Sequence, residues 1–317
     1  MSEFDLIRKH FTRPTKHTTL GIGDDAALIP VSAGIELAIS TDMLVAGTHF
    51  FADVDPHKLG WKSLAVNLSD MAAMGAKPKW ATLSISLPEN DATWLSHFSQ
   101  GFFSCADAFD VDLIGGDTTR GPLNISVQII GEIPIGQAIR RSGAKIDDDI
   151  WVSGKLGCAA LGLAHILGKQ QMAANSLAHH LQALHCPQPR VLLGLALRGL
   201  VHSCLDISDG LLSDLGHIVK ASNVGAEIHL DAIPTSTYIK KHLKTPAFQQ
   251  YVLAGGDDYE LCFTAPERHA ENILIAAKNI NIPVVKIGKI TATHGINVVD
   301  TGGNPIQVAQ TGYNHFN

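Results

Sequence analysis

Hydrophobic and polar positions change period repeatedly along the chain. Two-residue alternation predicts strands at residues 35–41, 80–87, 111–114 and 123–131. Between the first two, Trp61, Leu64, Ala65, Leu68, Met71, Ala72 and Gly75 recur at helical spacing. They predict a helix capped by Asp55, with Pro56 at its first position. Ser63, Asn67 and Asp70 fall on another face of that helix, which the pattern reads as solvated. A second helix is expected over residues 91–109, with Trp94, Leu95, Phe98, Phe102 and Phe109 as its core stripe. Residues 131–149 break the pattern with Gly, Pro and charge and predict a boundary between two domains, residues 1–137 and 138–317. Further on, the pattern gives a strand at 150–153, a helix-rich stretch at 156–201, a strand at 203–207 and a helix from Gly210. Strands are expected near 226–230, 260–264 and 284–287. The alternation is that of an α/β or α+β chain.

Composition narrows the function. With 317 residues, 45% of them hydrophobic and 17% charged, the chain can bury two cores, which excludes low-complexity disorder. Thirty acidic residues against 24 basic ones give a formal charge of −6, and no Lys/Arg run offers a footprint for nucleic acid. The five cysteines form no CxxC pair and read as buried thiols in a reducing compartment. The N-terminus lacks the apolar core of a signal peptide, and no apolar run reaches membrane-spanning length. A cytoplasmic protein without membrane attachment is expected.

The acids carry the candidate chemistry. Carboxylates stand beside Gly, Ser or Thr in six motifs: Gly21-Ile-Gly-Asp-Asp25, Ser40-Thr-Asp42, Asn67-Leu-Ser-Asp70, Gly115-Gly-Asp-Thr-Thr119, Asp206-Ile-Ser-Asp-Gly210 and Gly255-Gly-Asp-Asp-Tyr-Glu260. Asp24, Asp25, Asp42, Asp70, Asp117, Asp206, Asp209, Asp257, Asp258 and Glu260 make ten of the 30 acids. Singly, each motif is also a common turn or helix cap. Placed together at strand ends, the carboxylates would converge, repel and raise one another's pKa, a cost that bound metal removes. Carboxylate and hydroxyl oxygens are hard ligands suited to Mg²⁺ or Mn²⁺, which substrate phosphates commonly complete. The GxGxxA match at Gly21 is discounted, because two acids inside the loop would repel a pyrophosphate. The P-loop and HExxH patterns are absent. Arg140-Arg141 is the basic pair best placed for a phosphate. Among 16 histidines, His49 stands out in a Gly-Thr-His-Phe loop after Asp42, whereas His165, His179, His180 and His185 read as surface or cap residues.

Taken in order, LGIGDDAAL, AISTDMLVAGTHF, KSLAVNLSDMAAMGAKP, LIGGDTTRGP, RSGAK, DISDGLLSDLGHI, GGDDYELCF and GYNHF make the chain resemble the thiamine-monophosphate kinases, a branch of the aminoimidazole ribonucleotide synthetase-like superfamily. The resemblance implies a two-domain α/β fold whose N-terminal sheets pair into a barrel across a homodimer. It implies an N-terminal metal- and nucleotide-binding domain and a C-terminal domain that completes the active site. The implied reaction is transfer of phosphate from ATP to thiamine monophosphate with several Mg²⁺ ions. Asp25, Ser40, Thr41, Asp42, Asp70, Asp117, Asp206 and Asp209 match the family's metal positions, with Asp42 and Asp117 central to catalysis through the metal. Gly116, Asp117, Arg141 and Ser208 match its ATP contacts, and His49, Asp257 and Tyr313 its thiamine phosphate contacts. Two positions depart from the family pattern: Asp257 replaces a common Glu, and Tyr313 often a Trp. A related ATP-dependent synthetase, a metal-dependent phosphohydrolase and a non-catalytic metal or nucleotide sensor are the alternatives. The selenophosphate branch is disfavoured because the first Cys is Cys105.

Overall fold

A computed structural model describes residues 3–313. The chain forms two compact units. The first holds the residues up to Met71 with Ala76–Gly136, and the second holds Ala72–Gly75 with the chain from Gln137 onward.

In the first unit, α1 (Glu3–His10) precedes β1 (Ile35–Val45), α2 (Pro56–Ala73), β2 (Lys77–Leu87), α3 (Ala92–Phe109), β3 (Asp112–Arg120) and β4 (Asn124–Pro134). The last residues of α2 belong to the second unit. The strands form one mixed sheet in the order β1-β4-β2-β3, antiparallel except for the β2–β3 pair. Helix α2 starts where Asp55 accepts from the N–H groups of His57 (2.8 Å) and Lys58 (3.3 Å), with Pro56 leading. Asp91 caps α3 in the same way, through Thr93 and Trp94. The apolar stripes land as the periodicity predicts: Leu64, Leu68, Met71, Leu95, Phe98 and Phe102 are all buried. Asp112 fastens the N-terminal segment to the sheet, accepting from the N–H groups of Lys16 and His17 and from the Thr18 hydroxyl.

The solvated face expected on α2 is corrected. Lys62, Ser63, Asn67 and Ser69 are buried together with the apolar stripe. Two of these polar groups are satisfied locally: the Ser63 hydroxyl donates to Leu59 O (2.7 Å) and the Asn67 amide to Ser63 O (3.0 Å).

The second unit comprises β5 (Asp149–Ser153), α4 (Cys158–Ile166), α5 (Ala174–His185), α6 (Val191–Leu197), β6 (Ser203–Asp206), α7 (Leu211–Ser222), β7 (Gly225–His229), α8 (Thr237–His242), α9 (Pro246–Ala254), β8 (Leu261–Ala265), α10 (Ala270–Asn279), β9 (Val284–Thr291) and β10 (Gly295–Val299). Its sheet runs β10-β7-β9-β5-β8-β6, and only the β10–β7 pair is parallel. Ile150, Val152, Leu205, Ile218, Ile228, Val252 and Ile287 sit in one core beneath α7 and α9. No described helix is long and apolar enough to cross a membrane. Cys105, Cys158, Cys204 and Cys262 are buried and Cys186 is half-buried. His180 is not a surface residue: it is buried between Ser176 O (2.7 Å) and the Ser236 hydroxyl (3.0 Å).

Candidate active site

Within the first unit, β1 and α2 bring several of the predicted site residues together. Ser40 and Asp42 alternate along β1 and project from the same face of the sheet. There the Ser40 hydroxyl donates to Asp70 Oδ2 at 2.5 Å, and the Asp42 N–H donates to Asn67 Oδ1 at 3.1 Å. Asn67 and Asp70, three apart on α2, share a helix face, so one turn of α2 holds both β1 residues. Burial, and then the charge of Asp70, push the Asp42 carboxyl up to about 7. A carboxyl whose charged form is disfavoured by burial and a neighbouring acid, with a hydroxyl bound to that neighbour, suits a hard divalent cation. Thr41 points to the other face, where its hydroxyl accepts from the Gln128 amide at 3.5 Å.

The expectation that the acids converge at strand ends is corrected in this unit. Asp42 lies inside β1 and Asp117 inside β3, on the two edge strands. Three inter-strand steps, about 14 Å along the sheet, separate them. Register also separates their faces. Asp42 shares a row with Val127, Leu83 and Gly116, whereas Asp117 shares the next row with Ser84, Ser126 and Met43. Strand β3 runs past the expected end at Ile114 because Gly115 to Arg120 continue the parallel pairing with β2. Gly116 is required there. Its φ is +147°, and a Cβ would stand 1.8 Å from Leu83 O. His49 lies in the turn after β1, where its Nδ1 accepts from Val45 N–H at 3.0 Å, which puts the proton of the neutral ring on Nε2. Asp24 and Asp25 are exposed, and Asp24 Oδ1 accepts the Asp25 N–H.

In the second unit, Asp206 ends β6, and the loop Ile207 to Gly210 carries Ser208 and Asp209 into α7. Two other segments fasten to this loop through three hydrogen bonds. Asp257 N–H donates to Ser208 O (2.8 Å), Tyr259 N–H to Ile207 O (2.8 Å), and Tyr313 N–H to Asp209 O (3.0 Å). Asp257 and Tyr259 both take left-handed backbone conformations, with φ of 67° and 50°. The Tyr259 hydroxyl donates to Asp257 Oδ1 at 3.1 Å. Arg141 is exposed, and its segment is tied to β6 by the Cys204 N–H donating to Arg140 O.

Two of the ten motif acids serve the fold. Glu260 forms a two-pronged ion pair with Arg190 and accepts from the Ser153 hydroxyl (2.6 Å). Asp258 accepts the Gly157 N–H (2.7 Å) at the start of α4. Asp214, which the motif reading passed over, sits four residues after Gly210 and accepts from the N–H groups of Ser208, Asp209 and Gly210, each at 3.0 Å. Burial outweighs those hydrogen bonds and pushes its carboxyl up to about 7. Among the described residues, no three His, Cys, Asp or Glu side chains are gathered closely enough to hold a metal ion unaided. Hydroxyls, water and phosphate oxygens would have to complete any such sphere.

Residues 23–133 match the AIR synthase related protein N-terminal domain, and residues 145–301 match the C-terminal domain of the same class. Fold and site thus define a two-domain α/β protein of the AIR synthase related class. The sequence is 46% identical to the thiamine-monophosphate kinase of Salmonella typhimurium, covering 99% of this chain and 98% of that one. The crystal structure of the thiamine-monophosphate kinase from Stenotrophomonas maltophilia superposes with a TM-score of 0.83 at 43% identity, over 93% of each chain. AaThiL complexed with AMPPCP and TMP superposes with a TM-score of 0.79 at 30% identity, over 99% of this chain and 96% of that one. The chain belongs to the thiamine-monophosphate kinase family.

Proposed function

We propose that this protein transfers the γ-phosphoryl group of ATP to thiamine monophosphate, giving ADP and thiamine diphosphate. The observation that carries the reading is identity of 46% with a thiamine-monophosphate kinase across nearly the whole chain. The half-buried residues Ser40, Asp42 and Asp70 match metal positions of the resemblance, which supports this reading. Asp25, Ser40, Thr41, Asp42, Asp70, Asp117, Asp206 and Asp209 would hold Mg²⁺, and the spacing of Asp42 from Asp117 favours several ions over one. When bound, Mg²⁺ would neutralise the phosphates and favour an in-line approach. Gly116 and Ser208 offer backbone and hydroxyl contacts to ATP, and Arg141 a charged one. His49, Asp257 and Tyr313 would hold the thiamine phosphate. Asp is one methylene shorter than Glu, so Asp257 reaches its ligand with less direct contact. Tyr313 keeps an aromatic face for a cationic ring.

The acceptor phosphate is already largely ionised at neutral pH, so attack needs no protein base and transfer is direct. The first unit would act as metal, nucleotide and dimer domain, and the second would supply Asp206, Ser208, Asp209, Asp257 and Tyr313. A homodimeric barrel is supported by the sheet itself: β1 and β3 are edge strands, and Leu37, Ile39 and Met43 expose apolar surface that a second copy would cover. The enzyme works in the cytoplasm, on small-molecule partners only.

Purified protein supplied with ATP, Mg²⁺ and thiamine monophosphate is expected to form thiamine diphosphate and ADP in equal amounts. Excess EDTA should stop the reaction and added Mg²⁺ restore it. Release of inorganic phosphate with no thiamine diphosphate would replace this reading with a phosphohydrolase. Recovery of ³²P-labelled protein as an intermediate from γ-labelled ATP would overturn direct transfer.

A further inference from the structure

In the second unit one carboxylate gathers the N–H groups of a loop that carries several predicted site residues. Residues 207–209 form a hub: Ile207 O, Ser208 O and Asp209 O receive the backbone N–H groups of Tyr259, Asp257 and Tyr313 in turn. The approach of the Gly255–Glu260 segment is so close that a Cβ on Gly256 would stand 2.5 Å from Ser208 O. The hub has no regular secondary structure to hold it, since β6 ends at Asp206 and α7 begins at Leu211. Its three successive N–H groups, on Ser208, Asp209 and Gly210, instead converge on Asp214 Oδ2. Asp214 is 4% exposed, and its own N–H donates back to Gly210 O at 3.0 Å, so loop and first helical turn lock reciprocally.

We propose that Asp214 is a positioning residue, whose carboxylate sets the loop Ile207 to Gly210 and thereby places Ser208, Asp209, Asp257 and Tyr313 together. It touches no substrate itself. Without it, three N–H groups lose their acceptor, that of Gly210 buried and those of Ser208 and Asp209 half-buried, and the loop must turn to find others. Because the nucleotide-side residue Ser208 and the thiamine-side residues Asp257 and Tyr313 hang from the same loop, both substrates should feel the change. This role rests on the functional reading above.

The test compares Asp214→Ala and Asp214→Asn with the wild type, with folding verified by circular dichroism and thermal melting. An Asn carbonyl oxygen can accept the same three bonds, whereas Ala cannot. In Asp214→Ala, KM for ATP and for thiamine monophosphate are expected to rise together and kcat/KM to fall about 100-fold, the scale of a misplacement of about 1 Å. Asp214→Asn should recover to within about tenfold of the wild type. A purely structural role would reduce the active fraction, lowering kcat with both KM values unchanged, and that result would overturn the proposal. So would an Asn variant as impaired as the Ala variant. Calorimetric binding of Mg²⁺ with AMPPCP separates this inference from the functional reading. If the wild type binds the analogue but makes no thiamine diphosphate, the assigned reaction fails. The positioning role then stands if Asp214→Ala weakens that binding at least tenfold, and falls if it does not.

Discussion

Asp42→Asn is expected to lose activity by about 10³-fold while gaining stability in the metal-free state. The loss follows from the proposed metal role of Asp42, whose charge would be worth about 4 kcal/mol of transition-state stabilisation, at 1.36 kcal/mol per decade. The gain follows from the site's own electrostatics. Burial and the Asp70 charge hold the Asp42 carboxyl near 7, above its ordinary 3.8. An acid whose folded pKa is raised favours the folded state fully below the unfolded pKa, and that contribution is lost as pH rises through the folded one. Metal-free wild type should therefore weaken between about pH 4 and pH 7 and level off above. Asn carries no such penalty, so the gap should reach about 2 to 4 kcal/mol at pH 8 and narrow steadily towards pH 4. Urea midpoints of both proteins in EDTA, at pH 5 and pH 8, check this. The variant keeps the Asp42 N–H bond to Asn67 and the Ser40–Asp70 bond, since neither uses the substituted group. Equal midpoints at pH 8 would show that the site does not strain Asp42. Full turnover at limiting Mg²⁺ would remove it from the metal set.

Much of the local structure around the candidate site was legible from residue types, and the part that was not depended on three-dimensional register. The stripe of α2 and the cap at Asp55 follow from local spacing, and both appear as expected. The polar face of α2 was misjudged because Asn67 and Ser63 satisfy their hydrogen bonds inside the protein, on Asp42 and on the helix backbone. Periodicity cannot register such partners when they lie 25 residues away. Convergence of the acids was inferred from strand ends, but strand order decides it, and the order β1-β4-β2-β3 puts Asp42 and Asp117 on opposite edges. Glu260 and Asp258 looked like ligands because their motif resembles the others. Arg190, 70 residues upstream, gives Glu260 a structural task that no motif announces. Asp214 carried one faint signal, a carboxylate four residues beyond a Gly that precedes a helix, which is the spacing of a side chain reaching back to its own N-terminal loop.

The two glycines of Gly115-Gly116-Asp117 should respond oppositely to the same added methyl group. At Gly115 an alanine Cβ meets only Thr82 Cγ2, at 4.0 Å, so Gly115→Ala should change stability by less than about 1 kcal/mol. At Gly116 the Cβ would fall 1.8 Å from Leu83 O, 2.5 Å from its carbonyl carbon and 2.8 Å from its N. All three are backbone atoms of the strand paired with β3, so no rotamer change relieves them. The backbone at Gly116, with φ of +147°, is also one that only glycine adopts without strain. Strain of about 1 to 3 kcal/mol and overpacking of similar size add to roughly 2 to 6 kcal/mol, a large share of a typical domain's stability. The strand can lower that cost only by slipping away from β2. Asp117 would then move with it, so activity should fall further than the folded fraction does. Thermal melts of both variants, with turnover measured on the folded fraction, test this. A Gly116→Ala protein that melts and turns over like Gly115→Ala would show that the β2–β3 register is not what places Asp117.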